Sequence, residues 1–219
     1  FVLYTYSTIG RFSGLTSMVN GLASNSWQYS YLPNSDLIAG VSNSVNSVNS
    51  VKTYEQHRNL LTQVKNDAGT NLISQFDYTN DAIGRRTQRV DTPSAMPSAL
   101  CTNFFAYNSR SELTSAAMGT NDYSYLFDQI GNRIEADEAG DEWSYIANAL
   151  NQYASITNNS SPIAVAHDDD GNMTVAPLSS FGAQLLSSVL GWNGENRMIS
   201  ASNTAMVASY SYDYMGRRF

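Results

Sequence analysis

The stretch YSYLFDQIGNRIEA, residues 123–136, decides how the rest of the chain reads. Its aromatic residues Tyr123 and Tyr125 stand at alternate positions, so on an extended strand they share one face. Gly131 supplies a residue that tolerates positive φ, and Asn132 follows it out of the turn. The run Arg133-Ile134-Glu135-Ala136 alternates again and makes the return strand. One such unit is a β-hairpin.

The same design recurs in both directions from this stretch. YTYSTIGRFSGLT (residues 4–16) places Tyr6, Gly10 and Arg11 in the corresponding positions, and FDYTNDAIGRRTQRV (76–90) places Tyr78, Gly84 and Arg85 there. YSYDYMGRRF (210–219) carries Tyr212, Asp213, Gly216 and Arg217. Looser copies are YSYLPNSDLIAGV (29–41), TYEQHRNLLTQV (53–64), FAYNSRSELTSA (105–116) and WSYIANALNQYASI (143–156). HDDDGNMT (167–174) adds Asp170, Gly171 and Asn172, and GWNGENRMISA (191–201) adds Asn196 and Arg197. These make about ten units spaced roughly 20 to 27 residues apart, the range of solenoids and arrays. Residues 1–219 therefore read as a single repeat region. A lone hairpin is marginal in water, whereas hairpins side by side pair their edges and share an aromatic face. The tyrosines are accordingly expected to be cross-strand packing residues.

Some units depart from the pattern. Residues 29–41 use Pro33-Asn34-Ser35 in place of the turn glycine, residues 53–64 use His57-Arg58-Asn59, and His167 stands where tyrosine is expected. Asn/Ser-rich stretches at 42–50 and 158–161 read as links between units. The valines of VSNSVNSVNSV (41–51) keep no strict period of two, so this stretch reads as a poor strand or a loop. Over residues 179–190 the spacing of Leu185, Leu186, Val189 and Leu190 fits a short helix.

Tyr-Asp, a short spacer, Gly, then Arg or Asn and an apolar return strand together resemble the RHS, or YD-repeat, family. FDQIGNRIEA, HDDDGNMT, WNGENRMIS and YDYMGRRF look like ordinary members, and WSYIANALNQYASI resembles a common variant. The order of the last three resembles the run into the RHS core. The resemblance implies an all-β array of antiparallel hairpins, a spiralling sheet forming part of a hollow shell. It also implies an exported parent protein, bacterial toxin or cell-surface receptor, whose further repeats and C-terminal effector are the partners. Phe1 lies inside an expected strand and Phe219 directly follows a turn signal, so the chain reads as a fragment cut at both ends.

Composition fits this reading. The chain has 14 Tyr and 14 Gly, and charged residues make up only 14%. Its net charge of −7 and its scattered basic residues argue against nucleic-acid binding, which needs clustered Lys and Arg. No stretch approaches the roughly 20 apolar residues of a membrane helix. The single Cys101 excludes an intrachain disulfide and reads as a small hydrophobe.

No catalytic motif is present: the nucleophile elbow, phosphate loop, paired-histidine zinc signature and dinucleotide fingerprint are all missing. With one Cys and two His, a zinc site is not expected, and a Cys101–His nucleophilic pair has no supporting motif. Asp168-Asp169-Asp170-Gly171-Asn172 suggests a Ca²⁺ loop but lacks its closing Glu, and it falls on a repeat turn where Asp and Asn are favoured anyway. The acidic pairs Asp137-Glu138 and Asp141-Glu142 read as a solvated hairpin loop.

The expectation is therefore a non-enzymatic wall segment, without cofactor or metal, that helps enclose an effector. The rival expectation is a surface adhesion or carbohydrate-binding module, in which Trp27, Trp143 and Trp192 stack on sugar rings of a glycan or receptor. An enzyme with its site on the hairpin loops is the third.

Overall fold

The computed structural model describes residues 1–94, 100–159, 161–179 and 185–219. All regular structure in it is β. The chain divides into two compact units, Phe1–Asn121 and Asp122–Phe219.

In the first unit the strands are β1 (Val2–Tyr6), β2 (Phe12–Val19), β3 (Leu22–Tyr31), β4 (Ile38–Asn43) and β5 (Val48–Tyr54). They are followed by β6 (Leu61–Ala68), β7 (Asn71–Asn80), β8 (Arg86–Pro93), β9 (Cys101–Tyr107) and β10 (Leu113–Met118). Their order across the sheet is their order in the chain, and each runs antiparallel to the next.

The second unit takes up β11 (Asn121–Phe127), β12 (Arg133–Glu138), β13 (Asp141–Ala147), β14 (Tyr153–Asn158) and β15 (Ser161–Ala164). A five-stranded sheet of β16 (Ala166–His167), β17 (Met173–Ser179), β18 (Leu185–Trp192), β19 (Met198–Ser202) and β20 (Val207–Ser209) completes it, again in sequential order.

Period-two alternation gives the sheets two unlike faces. In the first unit the cross-strand file Leu15, Trp27, Asn43, Val48, Ala68 lies on one face. The neighbouring file Gly14, Gln28, Ser42, Asn49, Asp67 lies on the other. The first face is mostly apolar, with the buried amide of Asn43 as an exception, and the second carries small and polar residues, Asp67 among them. On the first, small residues sit beneath large ones: Ala116 faces Phe105, and Ala136 lies between Tyr125 and Trp143. Both alanines are buried, and so are Ala176, Leu190 and Ala201, against which Met173, Trp192, Met198 and Tyr210 pack.

Two expectations are corrected. Residues 41–51 are neither poor strand nor loop: Val41 belongs to β4, Val48 and Val51 to β5, and the two strands pair from Gly40↔Val51 to Asn43↔Val48. The valine spacing breaks because a turn interrupts it. Asn43 caps that turn, its Oδ1 accepting from the Val45 and Asn46 N–H at 2.9 and 3.3 Å, and Ser47 takes φ 58°. The helix expected over residues 179–190 is also absent where it can be checked, since Leu185–Trp192 is strand, while residues 180–184 lie outside the described residues. β18 is paired on both sides, to β17 and to β19, and a helix there would leave both neighbouring ladders open. Local spacing yields to non-local pairing.

Strands are joined in two ways that alternate along the chain. At one edge the links include tight two-residue turns such as Asn20-Gly21 (φ 52° and 76°) and Ala139-Gly140 (φ 60° and 95°), where both residues are left-handed as a hairpin turn of primed type requires. At the other edge lie the loops of the repeated motif.

Candidate functional site: the motif loops and their aromatic clasps

The motif loops share one backbone plan. In the five-residue form, the first residue donates its N–H to the fifth residue's carbonyl, and the fourth donates back to the first. For residues 81–85 these bonds are Asp81 N to Arg85 O at 2.8 Å and Gly84 N to Asp81 O at 3.1 Å. The same pair of bonds closes loops 7–11, 108–112, 128–132, 148–152, 168–172, 193–197 and 213–217. The fourth position is left-handed throughout. Gly10, Gly84, Gly131, Gly171 and Gly216 sit there with φ 77–96°, and Ser111, Asn151 and Asn196 with φ 57–66°. A register slip adjoins the turn, as at Thr5/Tyr6 and Leu126/Phe127, the mark of a bulge built on a left-handed residue.

The first residue is the cap. Asp128 Oδ1 accepts from the N–H groups of Ile130 and Asn132, each at 2.9 Å. Asp81, Asp168 and Asp213 cap in the same way, as do Asn108, Asn148 and Asn193. The fifth residue takes the second carboxylate oxygen: Arg85 Nε and Arg217 Nε reach it at 2.6 and 2.7 Å, and Asn132 Nδ2 at 2.8 Å. These bonds set the acidity of the caps. The Asn172 amide beside Asp168, and the Arg217 N–H and guanidinium beside Asp213, hold those carboxyls below the usual range. For Asp81 and Asp128 partial burial pushes upward, but the Arg85 and Asn132 hydrogen bonds outweigh it, and the net direction is again down.

Sequence reasoning singled out Asp213 among the caps, weighed Asp168 only as part of an acidic Ca²⁺-like run, and passed over Asp81 and Asp128. A carboxylate or amide four residues before the closing Asn or Arg was the available signal. Asp170, singled out with Gly171 and Asn172, occupies the loop tip, so the acidic triplet is one cap followed by two exposed residues. Among the described residues no group of three His, Cys, Asp or Glu side chains converges as metal ligands. Two of the units without a turn glycine have loops one residue longer, 32–37 and 55–60, in which Asn34 and Asn59 become left-handed at φ 56°.

Before six of the loops, the preceding residue does a second job. Tyr31 Oη donates to the Phe12 carbonyl at 2.6 Å, Tyr54 to Ile38 at 2.9 Å, Tyr107 to Arg86 at 2.8 Å and Tyr212 to Met198 at 2.8 Å. Trp192 Nε1 reaches the Met173 carbonyl at 2.8 Å, and Asn80 Nδ2 the Leu61 carbonyl at 3.4 Å. In all six the acceptor is the residue directly after the preceding motif loop. The ladder between the two strands has by then stopped two residues short, at Gly14↔Gln28, Gly40↔Val51, Gln63↔Asp77, Gln88↔Phe104, Val175↔Val189 and Ser200↔Ser209. The strands splay at this edge, and a side chain replaces the missing backbone donor. Where Ala147 holds the position, Tyr153 from the return strand substitutes, its hydroxyl accepting from Arg133 N–H at 3.0 Å.

The arginines divide between two roles. Those closing a loop lie over the clasp ring of the next hairpin, Arg11 over Tyr31 at 5.3 Å, Arg85 over Tyr107 at 5.0 Å and Arg197 over Tyr212 at 5.7 Å. Those one residue later lie back over their own hairpin, Arg86 over Tyr78 at 3.7 Å, Arg133 over Tyr125 at 4.8 Å and Arg218 over Tyr210 at 4.8 Å. Loop-to-loop bonds add a third tie: Arg85 Nη1 to Asn108 O at 2.9 Å, Asn132 Nδ2 to Asn151 Oδ1 at 2.6 Å, and Asn172 Nδ2 to Asn196 Oδ1 at 2.9 Å. Tyr6 stands in the clasp position of the first loop. The arrangement can fasten hairpins to one another; it offers no juxtaposed nucleophile and base.

No family model and no curated protein matches the sequence. Among solved structures, TcdB2-TccC3-Cdc42 superposes with a TM-score of 0.62 at 13% identity, over 92% of this chain and 12% of that one. The fold is of the RHS type. TcdB2-TccC3 gives 0.48 at 12% identity over 92% and 14% of the two chains. The Photorhabdus luminescens Tc holotoxin pore carrying TccC3-D651A gives 0.42 at 13% identity over 99% and 15%. The RHS-type stretch seen here thus spans about an eighth of the first of these.

Proposed function

We propose that the chain is a non-enzymatic wall segment of an exported RHS/YD-repeat protein, and that the wall encloses a C-terminal toxin or effector of the same parent chain. The observation that carries this reading is the clasp: six times a side chain reaches back and fastens one hairpin to the one before it. Such seams hold together a two-faced sheet within each unit, which is what the wall of a container requires. The likeness to the TcdB2-TccC3-Cdc42 fold supports the same architecture. Secretion or surface location, and partnership with further repeats, follow from this assignment.

The glycan-binding alternative is less well supported. Trp27, Trp143 and Trp192 are only half exposed, Trp192 is committed to a backbone carbonyl, and Trp143 lies nearly parallel to Tyr145 at 6.4 Å. Among the described residues no helix is long and apolar enough to cross a membrane.

The test is limited proteolysis of the parent protein carrying its downstream segment. Enclosure predicts that the segment survives in the intact protein and is digested once the array is nicked. A segment cut equally fast in both states refutes enclosure.

A further inference from the structure

In each of the six clasps the donor stands three residues beyond the last ladder pair of its strand, and the acceptor stands two residues before the other member of that pair. Tyr107 and Arg86 keep these steps about Phe104 and Gln88, and Trp192 and Met173 keep them about Val189 and Val175. The ladder of β14 and β15 ends at Ser155↔Ala164. The same steps lead to His167 as donor and to the Tyr153 carbonyl as acceptor. An imidazole N–H is a donor like the Trp192 indole. Yet among the described residues His167 makes no side-chain hydrogen bond, and this clasp stands open.

The strand changes partners at the same place. Residues 161–164 pair only with β14 and residues 166–167 only with β17, so no residue of 161–167 is paired on both sides. In β9, by contrast, Asn103 pairs with both Arg89 and Met118, and Phe104 with both Gln88 and Ala117. Two prolines stand at the change. Continuing the register of Ala166↔Val175 would set Ala164 against Pro177, with Pro162 two residues earlier on the same strand, and neither proline has an N–H for a ladder.

The loops repeat the break. Asn132–Asn151 and Asn172–Asn196 tie the loop pairs on either side, whereas among the described residues no side-chain bond joins loop 148–152 to loop 168–172. A cleft of about 670 Å³ opens between these two loops, lined by Gln152, Tyr153, Val165, His167 and Gly171. The chain crosses the junction at Val165, whose N–H donates to the Ala154 carbonyl at 3.0 Å.

We infer that this junction is a hinge built into the second unit, at which the sheet ending in β15 and the sheet beginning with β16 part about Val165 while each keeps its own ladders. His167 is the strap left unfastened: it stands on the second sheet, and its missing acceptor stands on the first. The inference stands on the pairing pattern and goes beyond enclosure. In a wall, the hinge marks the line along which the wall opens.

Hydrogen exchange of the full chain, resolved by residue with NMR, tests it. The Val165 amide is expected to exchange faster than those of Trp143 and Val189, which are paired on both sides within the two sheets. His167→Tyr installs the donor that Tyr107 provides at its own seam, and is expected to slow Val165 exchange about five-fold, the worth of one hydrogen bond. His167→Phe adds a ring without a donor and is expected to leave the rate unchanged. A Val165 amide as slow as those of Trp143 and Val189 overturns the hinge, since the junction is then as firm as the sheets it joins. So does a Val165 rate that His167→Tyr leaves unaltered, or that His167→Phe slows equally, because fastening then does not control the junction. This readout needs no downstream segment, so hinge and enclosure can fail independently.

Discussion

The hydroxyl of Tyr107 donates to the carbonyl of Arg86 at 2.8 Å, two residues past the point where the β8–β9 ladder has ended. The guanidinium of Arg85, one residue earlier, lies over the same ring. One side chain thus satisfies a stranded carbonyl and carries a cation.

Tyr107→Phe is expected to cost about 1 kcal/mol, the net worth of one hydrogen bond, because the half-buried carbonyl loses its donor. In a chain of this size that is a fall of roughly 2–4 °C in Tm. Tyr107→Leu, which also removes the ring under Arg85, falls further. Thermal melts of the two variants check this, and a Phe variant as stable as the parent counts against the clasp.

The cap aspartates predict an acid-sensitive array. Asp81, Asp128, Asp168 and Asp213 have folded pKa values below the ordinary carboxylate value. Their contribution to stability is therefore complete above the unfolded value, about 4, and is lost as pH falls through the lower folded values. Unfolding followed from pH 6 to pH 2 is expected to show this loss. Replacing all four by Asn, which caps equally in the loops of Asn108, Asn148 and Asn193, is expected to flatten the acid limb. An unchanged acid limb in that variant argues that other carboxylates govern it.

Two glycines are predicted to fail for different reasons. Gly84 has φ 93°, so Gly84→Ala strains the backbone by about 1–2 kcal/mol, whereas Gly84→Asn, the residue type at position 196, is milder. Gly14 is not left-handed, but an added Cβ would lie 2.6 Å from the Trp27 carbonyl oxygen. Gly14→Ala is expected to cost about 1–3 kcal/mol through overpacking, and Asn at that site is worse, not better. Urea denaturation of the four variants distinguishes strain from crowding by whether Asn rescues.

Arg86→Lys tests the inward stack. The Arg86 guanidinium lies 3.7 Å above the Tyr78 ring, and its Nε is buried without a hydrogen-bond partner. A planar cation suits that position and an ammonium does not. A loss of about 0.5–1 kcal/mol is expected from the weaker cation–π contact. Full retention of stability in the Lys variant assigns the site to charge alone.

Much of this fold was legible in the sequence because its signals are local. Alternating Tyr123 and Tyr125, then Gly131 and Asn132, specify strand and turn within a dozen residues. The caps were legible in principle, since Asp128 and Asn132 are close in the chain. The clasps were not. Tyr31 reaches Phe12, 19 positions away, and the acceptor is a backbone atom that leaves no trace in residue identity. The same limit explains β18, where Leu185, Leu186, Val189 and Leu190 carry helical spacing. Nothing nearby in the chain records that β17 and β19 pair with it on both sides.

Because each of the six donor clasps ends on a main-chain carbonyl, the receiving hairpin contributes an atom that every amino acid possesses. A seam of this kind places its demand on one partner only. Units can therefore be duplicated, deleted or exchanged, and their receiving strands can drift in sequence, while each new junction closes with the same bond. Phe12, Ile38, Leu61, Met173 and Met198 differ in shape and Arg86 differs from them in charge, yet all six accept the same fastening.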